Sequence, residues 1–231
     1  MGDPLEDFAY RAIGFEARER IDALTIEVMG GLQAASVPAL LLKGPVIAQW
    51  LYDPGEVRGY NDCDVLAAPD RFASGGRAMR AAGFHLHRDE ASHPEVLDQG
   101  RSQIWHRLPE DVWIDLQWRL PGFGLAPGLA WERLWEGRET MNLRSHHVAV
   151  AGEPARALHL ATAAVPADSE SRKALIDLER AIVRVAPEVW RAAARLADQV
   201  DAMPALRAGL NRTSAGASLA ARVGLTPQRG R

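Results

Sequence analysis

The fold is decided by the stretch Val57-Arg58-Gly59-Tyr60-Asn61-Asp62-Cys63-Asp64-Val65-Leu66. Its apolar end predicts a short strand, and on a strand residues i and i+2 point to the same side. Asp62 and Asp64 would therefore aim at one point. Two carboxylates held so close repel each other unless a cation lies between them, and Mg2+ takes oxygen ligands. The alternative is a solvated turn with two incidental aspartates, the commoner explanation for an isolated pair at this spacing.

A second informative segment precedes this stretch. Ala39-Leu40-Leu41-Leu42 is wholly apolar and predicts a buried strand. It ends at Lys43-Gly44-Pro45, and the apolar residues that follow have helical spacing, with Pro45 suited to the first helical position. Free N–H groups at a helix start favour phosphate, Gly44 lets the backbone approach closely, and Lys43 adds a positive charge. An exposed lysine at a turn is the alternative for Lys43.

A third acidic residue lies in a predicted hairpin. Residues 102–108 and 112–118 read as two strands joined by Pro109-Glu110-Asp111. Asp115 lies inside the second, strongly apolar strand. A buried, unpaired carboxylate costs several kcal/mol, so we expect Asp115 to have a cation partner. The alternative is an edge strand with Asp115 in water.

The rest of the chain predicts an α+β protein. Residues 8–35 have the periodicity of one long helix, residues 84–87 that of a strand, residues 139–150 suggest a strand pair, and the chain is helical from Glu153 onward. We therefore predict a small mixed β-sheet core flanked by helices, followed by an all-helical C-terminal lobe. A Gly/Pro-rich segment over 121–127 places the boundary, with a core and its N-terminal helix over 1–122 and a mainly helical lobe over 123–231.

Composition narrows the class of protein. The chain has 231 residues with 47% hydrophobic and 25% charged residues and a net charge of −3, so DNA binding is not expected. The single Cys63 suits a reducing compartment. No signal peptide is visible and no apolar run is long enough for a bilayer, so we expect a cytoplasmic protein without a membrane partner. His85 and His87 would share a strand face, as a zinc pair or, more commonly, as exposed histidines.

The three carboxylates and the lysine–glycine segment together suit one type of chemistry. Asp62, Asp64 and Asp115 on two strands fit one or two divalent ions, Mg2+ or Mn2+. Lys43 and Gly44 lie at a predicted helix start that favours phosphate. Phosphoryl or nucleotidyl transfer needs little beyond such positioning and charge neutralisation.

Several motifs together resemble a known family. They are Leu41-Leu42-Lys43-Gly44, Tyr52, Arg58-x-x-x-Asp62-x-Asp64-x-Leu66 and Ile114-Asp115-Leu116-Gln117-Trp118. The combination resembles the uncharacterised bacterial nucleotidyltransferases of the DNA polymerase beta-like nucleotidyltransferase superfamily. Two departures concern histidines of that family, because Gln117 stands where the strand usually has one and Ala163 and Ala164 follow the Leu158-His159-Leu160-Ala161 segment.

The resemblance implies an enzyme and assigns roles to residues. It implies that Asp62 and Asp64 bind catalytic metals, that Asp115 is a third ligand or a base, and that Lys43 and Arg58 hold the phosphates of an NTP such as ATP. We expect the acceptor to be a hydroxyl or phosphate group, with a peptide natural product or a small molecule as a candidate.

Two other functions are left open by the residues. One is a nucleotide-binding partner protein with impaired catalysis. The other is a toxin-type nucleotidyltransferase that acts on tRNA, against which the acidic charge balance argues mildly. The sequence specifies neither the acceptor, nor the preferred NTP, nor the oligomeric state.

Overall fold

The computed structural model describes residues 4–89, 101–165 and 171–225. The chain separates into two compact units. The first contains Met1–Trp118 and Arg138–Val150, and the second contains Arg119–Gly137 and Ala151–Arg231.

A seven-stranded mixed sheet organises the first unit, with the strand order β3-β4-β5-β2-β1-β7-β6. The strands are β1 (Ala39–Leu41), β2 (Asp62–Ala67), β3 (His85–Asp89), β4 (Ser102–Arg107), β5 (Val112–Gln117), β6 (Glu139–Leu143) and β7 (His146–Val150). The pairs β2–β5 and β1–β7 are parallel, and the other neighbours are antiparallel. The predicted hairpin of β4 and β5 is confirmed.

Three helices accompany the sheet: α1 (Pro4–Ala34), α2 (Pro45–Leu51) and α3 (Phe72–Ala81), the last preceded by a short 3-10 helix at Pro69–Arg71. The core combines the apolar stripe of α1 with one face of the central strands. Its buried members include Leu24, Val28, Leu32, Cys63, Val65, Ala67, Ile114 and Leu116. Because strand side chains alternate, the other face of β2 and β5 carries the polar residues Asp62, Asp64, Asp115 and Gln117.

Two adjacent glycines bring α3 close to the sheet. A Cβ atom at Gly75 would lie 3.3 Å from Leu116 Cδ2, and one at Gly76 would lie 3.3 Å from Gln103 Oε1. Both distances are shorter than ordinary van der Waals contact. The Gly75-Gly76 pair therefore lowers the helix propensity of α3 but allows the helix to pack closely against the sheet.

The second unit is helical in its described residues. Its helices are α4 (Pro127–Glu136), α5 (Glu153–Ala163), α6 (Ser171–Arg184), α7 (Pro187–Gln199), α8 (Met203–Leu210) and α9 (Ser214–Arg222). α5 and α8 touch at the backbone, since a Cβ atom at Gly209 would lie 1.9 Å from the Ala161 carbonyl oxygen. Within the described residues, none of the helices combines the length and hydrophobicity that a membrane span requires.

The α+β fold class is confirmed. The segment over 139–150, however, belongs to a different unit from the one that the predicted boundary after residue 122 implied. The strand pair over 139–150 exists, but it extends the sheet of the first unit through β7. A boundary after residue 122 would have assigned it to the helical lobe.

The alternative of an edge strand for Asp115 is wrong, because β5 lies between β4 and β2. The predicted loop over 89–100 lies, from residue 90 on, outside the described residues.

Candidate active site

Asp64 and Asp115 face the same side of the sheet from adjacent strands. They are register partners in the parallel pair of β2 and β5. Asp62 is on the same face two residues earlier and lies opposite Trp113. Neighbouring strands are about 4.7–4.9 Å apart, so two carboxylates in register repel strongly when both are ionised. The predicted convergence of acidic side chains on two strands is therefore present for Asp64 and Asp115, with Asp62 beside them.

The environment of Asp115 penalises its negative charge. Burial, followed by the charge of Asp64, raises the pKa of Asp115 to about 7, although a hydrogen bond with Ser102 and the charges of Lys43 and Arg101 act in the opposite direction. Its Oδ1 atom is buried and has no hydrogen-bond partner among the described residues. A buried carboxylate oxygen of this kind needs a cation or a donor group.

Lys43 is a cation close to the acidic pair. The backbone N–H of Leu42 donates to the Asp64 carbonyl oxygen at 3.0 Å, which brings the end of β1 beside β2. Lys43 Nζ consequently lies 3.4 Å from Asp64 Oδ1. The charge of Asp64 is the largest cause of a raised Lys43 pKa, and Asp115 and Asp62 add to it. Lys43 is therefore held as a cation beside the aspartates, with 32% of its side chain exposed, rather than as a fully exposed lysine.

Gln117 is the residue of the site whose contacts the sequence did not reveal. Its Nε2 atom donates to Asp115 Oδ2 at 2.8 Å and lies 3.4 Å from Asp64 Oδ1. Two signals in the sequence pointed to it: on a strand Gln117 shares the face of Asp115, and it stands where the similar family has a histidine.

The segment after Lys43 has an unusual backbone that other residues support. Gly44 has φ 57° and ψ −117°, a conformation open in practice to glycine alone, and Pro45 begins α2 as predicted. Arg58 is 5% exposed, and its Nη1 atom donates to the Gly44 carbonyl oxygen at 3.2 Å. Tyr60, whose ring packs near Gly44, donates to Asp22 Oδ1 at 2.6 Å. Arg58 and Tyr60 thus attach this segment to the fold.

The oxygen atoms of Asp62, Asp64 and Asp115 are chemically suited to a hard divalent cation. Carboxylate oxygens are the ligands that Mg2+ prefers, and the buried Asp115 Oδ1 atom lacks a donor. Across residues 4–89, 101–165 and 171–225, no three His, Cys, Asp or Glu side chains are already grouped as a metal site. The zinc alternative gains no support there, and the His87 ring instead packs edge-on against Trp113 at 4.9 Å.

Comparisons with known proteins identify a family and a similar fold. Residues 5–215 match the family described as uncharacterised nucleotidyltransferase. The solution structure of the antibiotic-resistance factor ANT(2'')-Ia is similar, with a TM-score of 0.52 and 14% identity over 80% of this chain and 96% of that one. A crystal structure of an antigenic nucleotidyltransferase-like protein from Paracoccidioides brasiliensis has a TM-score of 0.42 and 13% identity over 84% and 93%. No curated protein matches significantly.

The family match spans most of the chain, including both units and every candidate site residue. The similarity to the resistance factor concerns the fold, which is nucleotidyltransferase-like. The chain belongs to the uncharacterised nucleotidyltransferase family.

Proposed function

We propose that the chain is an Mg2+- or Mn2+-dependent nucleotidyltransferase that moves an NMP from an NTP to a hydroxyl or phosphate acceptor. The observation that carries this proposal is the pair of in-register carboxylates, Asp64 and Asp115, with Lys43 Nζ 3.4 Å from Asp64. Two carboxylates held together in a largely buried site are costly for stability, so a functional use is the better explanation for them.

Each residue has a role in this proposal. Asp62, Asp64 and Asp115 would hold the divalent ion, which when bound neutralises phosphate charge and activates the acceptor oxygen. Lys43 would bind donor phosphates, since it is a cation beside the acidic face. Asp115 is the third ligand or the base that receives the acceptor proton. The acceptor oxygen forms a bond to the α-phosphorus, the bond from that phosphorus to the bridging oxygen breaks, and pyrophosphate leaves.

Gly44 and Arg58 belong to the phosphate side of the proposed site. The positive φ of Gly44 leaves room for a close backbone approach to a phosphate. Arg58 supports Gly44 through the hydrogen bond to its carbonyl oxygen. Direct contact of Arg58 with phosphate stays a prediction from the resemblance.

Pyrophosphate release with each NTP and Mg2+, in the presence of candidate acceptors, tests the proposal. We expect Asp64→Asn and Asp115→Asn to lose at least about 100-fold in turnover, as is typical when a metal ligand or base is removed. Asp70→Asn is the matched control, because Asp70 is an exposed acid beside Arg71. Full Mg2+-dependent turnover in either site variant would overturn the assignment.

Three further measurements separate the alternatives. Calorimetric binding of an NTP without pyrophosphate release would favour the catalytically impaired partner protein. Transfer of label from an NTP to total tRNA would favour the toxin-type enzyme, whereas a mass increase of one nucleotide on a peptide or small molecule would identify the acceptor class.

Lys43→Met should raise the KM for the NTP more than it lowers kcat, because the contact it removes is made to the donor phosphates.

A further inference from the structure

A single neutral amide group links the two in-register carboxylates. Gln117 Nε2 donates to Asp115 Oδ2 at 2.8 Å and lies 3.4 Å from Asp64 Oδ1. The residue is 3% exposed, so these hydrogen bonds are shielded from water. Hydrogen bonds to ionised carboxylates are stronger than those between neutral groups, and the more so when buried.

The charge of the side chain at this position matters. Lys43 already contributes one positive charge on the Asp64 side. A cation at position 117 would add to the charges of Lys43 and Arg101, which both act on Asp115, and would compete with a divalent ion. An apolar side chain there would leave the repulsion between Asp64 and Asp115 unrelieved. A neutral donor satisfies both requirements at once, since it reduces repulsion and leaves the negative charge in place.

We propose that Gln117 is a positioning residue that holds the Asp64 and Asp115 carboxylates together through its amide nitrogen. Its role as a positioning residue for catalysis rests on the proposed function, whereas its effect on the two carboxylates does not. The effect therefore has a consequence for folding in the absence of any metal. Removing the amide should cost most when both carboxylates are present.

A double-mutant cycle in a chelating buffer measures this effect. Gln117→Met keeps the side-chain length and removes both hydrogen bonds. We expect it to raise the unfolding equilibrium constant by about 10-fold or more, and by only about 3-fold in the Asp115→Asn background, where the strongest bond goes to a neutral group. Gln103→Met is the matched control, because Gln103 lies on the opposite face of the same sheet beside Gly76. Its effect should be the same in both backgrounds.

Equal effects of Gln117→Met in the two backgrounds would overturn the proposal. If the single variant does not fold in buffer, all four proteins of the cycle are compared in a stabilising osmolyte, and equal effects of Gln117→Met in the two backgrounds there overturn the proposal. Mn2+ affinity is the second readout, and we expect a loss of about 10–100-fold in Gln117→Met and none in Gln103→Met. A wild-type protein that shows the coupling but neither binds Mn2+ nor releases pyrophosphate would refute the proposed function and leave the effect of Gln117 on the carboxylates established.

Discussion

Asp64 and Asp115 lie directly opposite each other on two parallel strands, with their carboxylates on one face of the sheet. The fold gains nothing from this arrangement by itself, because burial and the charge of Asp64 both oppose ionisation of Asp115. Lys43 and Gln117 reduce the cost from two sides. The two acidic side chains should therefore lower stability while they serve the proposed activity, and both effects can be measured.

Asp115→Asn should stabilise the protein while it abolishes turnover. The amide keeps the shape of the carboxylate and removes a charge that burial disfavours, so the free energy of unfolding should rise by about 1–3 kcal/mol without divalent ions. Urea unfolding at pH 7.5 in a chelator measures the change. Asp70→Asn, at an exposed acid, should alter it by less than about 0.5 kcal/mol. A destabilised Asp115→Asn protein would contradict the expectation.

Gly44→Ala should destabilise the protein through backbone strain. The φ of 57° and ψ of −117° are tolerated by glycine, and holding alanine there costs about 1–3 kcal/mol. Space is not the cause, since the added Cβ would lie 3.5 Å from the Tyr60 ring. Urea unfolding measures the cost, and Gly59→Ala, where a Cβ would meet nothing within 4 Å, is the control. Equal stability of the two variants would show that the Gly44 backbone is not strained.

The pairing of Glu27 with Arg107 predicts a pH-dependent contribution to stability. Arg107 donates from Nη1 and Nη2 to the two carboxylate oxygens of Glu27, at 2.5 and 3.0 Å. These hydrogen bonds lower the pKa of Glu27 from its ordinary value of 4.5. The stabilisation is therefore present above pH 4.5 and is lost as the pH falls through the lower, folded-state pKa.

Glu27→Gln should accordingly cost less than about 1 kcal/mol at pH 7, because Glu27 is largely in contact with solvent. The difference from wild type should disappear in acid. Urea unfolding at several pH values between 3 and 7 gives the profile. Glu132→Gln, at an exposed residue of α4, is the control. A difference that persists at pH 3 would contradict the ion-pair explanation.

Two glycine-to-alanine changes should have opposite signs. Gly209→Ala places a Cβ 1.9 Å from the Ala161 carbonyl oxygen, so α8 must move away from α5, at a cost of about 3 kcal/mol or more. Gly31→Ala meets nothing within 4 Å near the end of α1 and should stabilise the protein by about 0.5–1 kcal/mol. Thermal unfolding of both variants tests the pair. A stable Gly209→Ala protein would show that the α5–α8 approach is looser than described.

Local patterns predicted much of the fold. Alternation identified β4 and β5, the apolar run before Lys43 identified β1, and the i, i+2 rule placed Asp62 and Asp64 on one face. In each case the signal lies within a few residues, because hydrophobic periodicity reports which face is buried.

Non-local pairing was not readable in the same way. The parallel bridge of Leu41 with Val150 joins residues far apart in the chain, and periodicity contains no information on strand partners. Contacts between distant residues of the site were unreadable for the same reason. The resemblance assigned Arg58 to the nucleotide phosphates but did not reveal its burial against Gly44. The contact of Gln117 with two aspartates depends on the register of β2 with β5.

The bridge between β1 and β7 has a consequence for biosynthesis. β1 emerges from the ribosome early, whereas β7, its partner on one side, is made only after the chain has passed through residues 119–137 of the other unit. Until then the apolar Ala39–Leu41 strand has an open edge, and such edges invite pairing with other chains. A nascent chain stalled before residue 146 should therefore be the form most prone to aggregate, and the first unit cannot be expressed whole as one uninterrupted fragment.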